Sequence, residues 1–330
     1  MKIFSGIQPT GKKHLGNYIG AIRQYVESQD RGDPAVFCIV DLHATTVAYE
    51  PAKLRENLYD TTAILLAAGL DPERCVLFRQ SDVQEHTELA WLLGSVTAHG
   101  DLNRMHQFKE KSANQKDLVS AGLFFYPVLM AADVLAYRAD EVPVGDDQRQ
   151  HVELMREIAR RFNERFGDTL TVPEHRIPEV GARIMDLQDP NRKMSTSVPG
   201  DAGRVLVLDE EKAIRKKFGS AVTDSGREIR RGEDKAGVTN LIGILSVATG
   251  KAEDEIEREF EGAGYGDFKK AVADAVVEYL RPVREAYPEI RADEAGIEKI
   301  LARGAEQARA ITSETLADVR EAMGVGAPRK

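Results

Sequence analysis

The chain has 330 residues. That is enough for one large core and a smaller second one, since single cores stop growing near ~250–300 residues. Its 42% hydrophobic and 30% charged content is that of an ordinary globular protein, with no apolar run long enough to span a bilayer. A formal net charge of −9 speaks against a protein that coats nucleic acid indiscriminately.

Ile3 to Ile7 reads as a short buried strand. Because it starts so early and is not a basic-then-apolar leader, the reading predicts a cytoplasmic protein. A Gly/Pro/Thr turn follows, then a helix from about Asn17, its N-cap, with Tyr18, Ile22 and Tyr25 on one face. Val36 to Val40 is a continuous apolar run of the kind buried on both faces of a parallel sheet. Pro51 opens a helix to about Ala68, Cys75 to Phe78 is the next strand, and Glu85 to Ala98 the next helix. This alternation predicts an α/β fold with a doubly wound parallel, Rossmann-type sheet.

Between about 100 and 140 the texture changes to a basic polar segment and then the apolar Leu123 to Leu135, an inserted helical region. Val142 to Gly145 reads as a strand, Asp146 to Phe166 as a long helix, and Arg204 to Leu208 as a short strand or hairpin arm. Beyond it the pattern is helical, with Pro282 expected to kink a helix or mark a boundary. The expected organisation is a catalytic domain over 1–208, an all-helical domain over 209–286, and C-terminal helices over 287–330 packing back on the body. Cys38 and Cys75 sit in apolar runs without metal-ligand spacing, so buried thiols are expected and no metal site. From Lys212 to Lys235 eight basic residues outnumber four acidic ones, the signature of a local basic patch or a solvated helix face.

Two segments carry the chemistry. Thr10 to Asn17 is a glycine-bearing turn between a first strand and a helix, at the sheet edge where open α/β folds bind ligands. Gly16 lets backbone approach an anion closely, His14 donates to a phosphate oxygen, and Thr10 and Asn17 add neutral donors. The second segment, Asp189 to Ser197, sets Lys193 among hydroxyls. Together they predict an ATP-using enzyme. A third feature is Asp133, a carboxylate in the otherwise apolar Leu129 to Leu135, where a buried charge needs a partner in the protein or a ligand.

His14-Leu15-Gly16-Asn17 resembles the HIGH element of class I aminoacyl-tRNA synthetases, and Lys193 to Ser197 resembles their KMSKS loop. Gly145-Asp146-Asp147-Gln148 resembles the Gly-x-Asp-Gln element of the tryptophan and tyrosine branch. The wording of Phe4 to Pro9, Gln107 to Ser112, Met130 to Asp133 and Val142 to Gly145 is similar to bacterial tryptophan–tRNA ligases. These matches span roughly the first two thirds of the chain in order.

The resemblance implies activation of L-tryptophan by ATP, carried with Mg²⁺, and transfer to tRNA(Trp). It assigns His14, Asn17, Lys193, Ser195, Thr196, Lys109 and Lys111 to the catalytic set. Gln8, Thr10, Gly16, Gly145, Asp147 and Met194 fall at ATP-binding positions. Phe4, Gln8, His43, Tyr126, Met130, Asp133, Val142, Val144 and Gln148 fall at tryptophan-binding positions, with Asp133 accepting the indole N–H. It also implies a homodimer, for which Leu118, Leu123 and Phe124 are candidate surface residues with core packing an equal reading, and an anticodon-recognising helical part. There Arg215, Lys216, Lys217, Arg227, Arg230, Arg231 and Lys235 are candidates for the RNA backbone.

The chain departs from the pattern at Thr196, where the family's second loop lysine stands. Alternatives stay open: a tyrosine–tRNA ligase, a small-metabolite nucleotidyltransferase, or an auxiliary copy holding an unidentified protein partner.

Overall fold

The structure, a computed structural model, describes residues 2–108, 119–145, 148–176, 183–195 and 200–328. Among them five strands form one parallel sheet: β1 (Ile3–Ile7), β2 (Ala35–Ile39), β3 (Val76–Arg79), β4 (Glu141–Pro143) and β5 (Glu174–Arg176). Their order is β3-β2-β1-β4-β5. Gly6 lies opposite Cys38, Cys38 opposite Phe78, and Ile3 opposite Glu141. The chain therefore winds outward from β1 in one direction and then restarts on its other side. The crevice of such a sheet opens at the carboxyl ends of β1 and β4.

Side-chain alternation divides the core in two. Phe37, Ile39 and Leu77 join one apolar cluster, while Phe4, Cys38 and Phe78 point into the other. The first is covered by α2 (Arg23–Asp30) and α4 (Pro51–Ala67), the second by α5 (Glu85–Gly94), α7 (Ala121–Leu135) and α8 (Arg149–Phe166). Shorter helices α1 (Leu15–Asn17), α3 (Asp41–Ala44) and α6 (His99–Asn103) lie at the ends of strands or between longer helices. Both cysteines are buried free thiols.

Several boundaries differ from the sequence reading. The first helix begins at Leu15 with His14 as its N-cap, and residues Tyr18–Ile22 make a π turn before α2. Asn17 is the third helical residue, not the cap. Strand β5 has the sequence Glu-His-Arg and no apolar signal. It is held by its ladder to β4 and by Arg176 Nε on Glu141 Oε1 at 2.8 Å. Charged side chains of this kind also protect an edge strand from foreign pairing. Residues 204–208 form no strand; they make one bridge, Leu206 to His14.

The helical part comprises α9 (Glu211–Gly219), α10 (Ala236–Thr249), α11 (Glu253–Glu259), α12 (Tyr265–Ala292) and α13 (Glu294–Met323). Helix α12 continues through Pro282 and Pro288, so neither proline ends it. Its apolar stripe, including Val272, Val276 and Leu280, stays buried through the first proline, and that packing outweighs the lost hydrogen bond. Helix α13 crosses the β3 edge so closely that a Cβ on Gly304 would stand 1.9 Å from the Leu77 carbonyl oxygen. Arg79 Nη1 on Glu298 Oε1 at 3.0 Å and Tyr59 on the same carboxylate at 2.8 Å tie this helix to the sheet body. Among the described residues no helix is long and apolar enough to cross a membrane.

Candidate active site

The turn after β1 is closed from inside by Lys13. Its ammonium donates to the carbonyls of Gln8 at 2.6 Å and Thr10 at 3.3 Å. Burial lowers its pKa to about 8, against the pull of Asp60. Gly11 adopts φ 61°, a left-handed turn that favours glycine. Lys13 was not among the residues singled out from sequence, though it adjoins the motif.

His14 and Asn17 then lock each other. The Asn17 main-chain N–H donates to His14 Nδ1 at 3.3 Å, and the His14 N–H donates to Asn17 Oδ1 at 3.1 Å. With Nδ1 accepting, the ring proton sits on Nε2, which is the donor left for a ligand. The His14 pKa is pushed down to about 4, first by burial and then by Lys193, Lys13 and Arg204. The imidazole is therefore neutral at neutral pH and stands in a positive field. Gly16 lies under it: a Cβ there would come within 3.0 Å of the ring and 3.6 Å of Ile184.

Ile184 begins the support of the lysine loop. Met194 N donates to Ile184 O at 2.9 Å, Asp186 N to Arg192 O at 2.8 Å, and Leu187 N to Gly203 O at 2.8 Å. The segment after Gly203 returns to the first turn, where Leu15 N donates to Val205 O at 2.8 Å and Val207 N to Lys13 O at 2.9 Å. Residues 203–207 thus clamp the two signature segments together. The helical part holds the same loop from outside: Asn240 Oδ1 accepts from Met185 N at 2.9 Å and its amide donates to Met185 O at 3.1 Å.

Lys193 is exposed and Ser195 half-buried beside this clamp. The Met194 side chain is buried in the core, which leaves only its main chain for a ligand. Gln8 and Thr10 are exposed, and Gly145 follows β4 at the other border of the crevice. Lys109, Lys111, Asp147 and Thr196, with Leu118, lie outside the described residues.

Asp133, on α7, is 2% exposed. Its oxygens accept from His43 Nε2 at 2.8 Å, His86 Nδ1 at 2.7 Å, and the Gln80 amide at 2.8 and 2.9 Å. Burial alone would raise the carboxyl pKa, but the hydrogen bonds from His43 and His86 hold it well below the usual range. Since the carboxylate only accepts, the His86 proton is on Nδ1, and its Nε2 accepts from Tyr137 at 2.7 Å. Burial raises the Tyr137 pKa and keeps that hydroxyl protonated.

The buried charge is thus satisfied by the protein; Gln80 and His86, with Tyr137 behind His86, are groups the sequence reading did not name. Gln80 is 53 and His86 47 positions away in the chain, a separation no local pattern reports. Phe4 stacks on Tyr137 at 5.2 Å, and Val142 is buried in the same cluster. Met130 and Val144 pack partly buried against it, Gln148 is half-buried at the start of α8, and Tyr126 pairs with His151 Nε2 at 2.7 Å.

Two expectations about surfaces need correction. Lys217 and Lys235 are buried, held by Asp209 at 2.6 Å and Asp224 at 3.0 Å, and are not free for an RNA backbone. Arg231 is gripped by Glu253, Asp254 and Glu257, and Arg230 by Glu228 and Asp234. Leu123 is buried in the core, where the apolar face of α7 draws it, and so forms no surface; Phe124 packs on His99 and Phe108.

The family model described as class I tRNA synthetases (W and Y) matches residues 1–281. A tryptophan--tRNA ligase of Wolinella succinogenes is 47% identical over 98% of this chain and 98% of its own length. The structure superposes on the tryptophanyl-tRNA synthetase of Mycoplasma pneumoniae with a TM-score of 0.93 at 35% identity, covering 98% of each chain. The Campylobacter jejuni enzyme, solved with ADP and tryptophan, gives 0.83 at 36% identity, over 98% of this chain and all of the other.

Proposed function

This chain belongs to the class I tRNA synthetases of the tryptophan and tyrosine branch, and from that membership we propose how its residues perform the reaction. L-tryptophan is activated with ATP to tryptophanyl-adenylate and pyrophosphate, and the acyl group passes to tRNA(Trp). The tyrosine alternative gives way to the full-length identity with a tryptophan-specific relative.

The first step is in-line displacement at the α-phosphorus by the amino acid carboxylate, so the protein mainly positions reactants and stabilises charge. The observation that carries the residue assignment is the clamp at 203–207, which sets His14 and Lys193 close enough for one charge to shift the other's pKa. In this reading the neutral His14 donates from Nε2 to a phosphate oxygen while Asn17 fixes the ring. Lys193, with Ser195, Thr196, Lys109 and Lys111, meets the leaving pyrophosphate. Gln8, Thr10, Gly16, Gly145, Asp147 and the Met194 main chain complete the ATP site.

Among the described residues no group of three or more His, Cys, Asp or Glu is placed to hold a metal. Mg²⁺ is accordingly assigned to the triphosphate it accompanies, and no step is routed through it.

For the amino acid, Phe4, Met130, Val142 and Val144 frame an apolar slot with Tyr126, Gln148, Gln8 and His43 at its polar ends. The four lone-pair positions of Asp133 already face donors, so an indole N–H enters by replacing one of them. His43, carried on the four-residue α3, is the donor this reading displaces. A homodimer, a cytoplasmic location and the division at 1–208, 209–286 and 287–330 belong to the same reading. The test is pyrophosphate exchange with tryptophan and with tyrosine, followed by charging of tRNA(Trp). Exchange driven by tyrosine, or exchange without charging, would overturn the assignment.

A further inference from the structure

A second hollow adjoins the first turn on the side away from β4. It encloses about 440 Å³ and is lined by Thr10, Ala44, Tyr49, Lys53 and Asn57, with Glu50 among the residues at its wall. That volume lies within the roughly 300–1,000 Å³ range of small-molecule sites. Tyr49 is 48% exposed, an aromatic ring left largely open to solvent. The walls come from the segments after β1 and after β2, whereas the nucleotide crevice of this sheet opens between β1 and β4. The hollow therefore borders the assigned ATP site, with Thr10 common to both, and extends from it toward α3 and α4.

Its position between two ends of the chemistry decides what fits. Thr10 belongs to the turn that His14 closes, and Ala44 follows His43, whose ring reaches Asp133. A group seated there approaches the adenylate between its nucleotide and tryptophan ends. Lys53 is paired with Glu56 at 2.7 Å and Glu50 is adjacent, one cation against two carboxylates, so the wall suits a neutral ring better than a run of phosphates. An exposed aromatic ring beside amide and hydroxyl groups is how proteins take up an unstacked base.

We propose that this hollow seats the 3′-terminal nucleoside of the tRNA, with its base stacked on Tyr49, during the transfer step. The inference rests on the synthetase reading above. In that step the terminal ribose hydroxyl bonds to the tryptophanyl carbonyl carbon, the bond to AMP breaks, and the hydroxyl proton passes to the departing phosphate.

The test separates the two half-reactions. Tyr49→Ala is expected to slow single-turnover transfer from preformed tryptophanyl-adenylate to tRNA(Trp) about 10-fold, the scale of one lost base stack. Tyr49→Phe keeps the ring and keeps the rate. Ala48→Trp, at an exposed position lining the hollow, blocks transfer by filling it. Tryptophan-dependent pyrophosphate exchange stays within about two-fold in all three and also reports folding. Unchanged transfer in Tyr49→Ala and Ala48→Trp overturns the proposal, and so does a parallel fall in exchange. An absence of exchange in the unaltered protein would instead overturn the synthetase reading itself.

Discussion

Asn17 and His14 each accept the other's main-chain N–H through a side-chain atom, at 3.1 and 3.3 Å. The pair starts the first helix and fixes which nitrogen of the imidazole carries its proton. Asn17→Ala removes the bond from the His14 N–H, keeps the main-chain N–H that faces the ring, and deletes the side-chain amide assigned to the triphosphate. It is expected to cost about 1 kcal/mol of stability, as lost N-terminal caps do. The larger effect falls on kcat for pyrophosphate exchange, with KM for tryptophan little changed. A variant with the full exchange rate would remove Asn17 from the catalytic set.

The low pKa of His14 makes a pH prediction. Its folded value, about 4, lies below the ordinary 6.5, so between those values the unfolded chain binds the proton and the folded chain does not. Stability contributed there is present above pH ~6.5 and is lost as the pH falls toward 4, by an amount on the order of 3 kcal/mol. Denaturant titrations of the protein and of His14→Gln across that window should diverge, with the variant losing less. Asp133, whose pKa is also depressed, adds its own loss only below the normal carboxylate range.

Asp133→Asn keeps the shape and removes the charge, turning one acceptor edge into a donor that opposes Gln80, His43 or His86. The expected cost in stability is about 1–3 kcal/mol, that of a buried polar group left unsatisfied. KM for tryptophan should rise at least about ten-fold while KM for ATP holds, because indole recognition needs a carboxylate acceptor. Equal changes in both would mean that Asp133 only supports the fold.

Gly304→Ala tests the docking of the last helix. The added methyl would lie 1.9 Å from the Leu77 carbonyl oxygen, so α13 must lift from β3 or the strand must shift. Overpacking of this kind costs roughly 1–3 kcal/mol or more. A lowered melting temperature is the readout, and an unchanged one would show that the helix adjusts freely.

In the loop motif that Lys193 to Ser197 resembles, Thr196 takes the place of a second lysine. On the proposed assignment Thr196→Lys restores a cation for the leaving pyrophosphate, and a comparable transition-state contact contributes about 10²–10³ in kcat. Exchange should therefore accelerate, by up to that factor. An unchanged or slower rate would mean that the other cations already supply what is needed.

Local patterning made much of this molecule readable. The apolar run Ile3 to Ile7 is β1 residue for residue, and Pro51 with Gly69 bounds α4 closely. The alternation of strand and helix indicated the doubly wound sheet because buried parallel strands and amphipathic helices leave different periodicities. The two signature segments stood out by their residue types, and the fold joins them through residues 203–207. Strand β5 escaped notice because a charged three-residue strand exists only through its partner, and α12 passed through Pro282 because packing outweighed the local penalty.

What the order of residues determined alone was the parts: most of the strands and helices, the glycine-bearing first turn and the lysine loop. Only the tertiary structure decided the partners: that 203–207 clamps His14 to Lys193, that Gln80 and His86 satisfy Asp133, and that Lys217 and Lys235 turn inward to acids. The reason is range. Backbone preference and hydrophobic period act over a few neighbouring residues, whereas the hydrogen bonds and ion pairs of a buried charge are met by groups the fold brings from far along the chain.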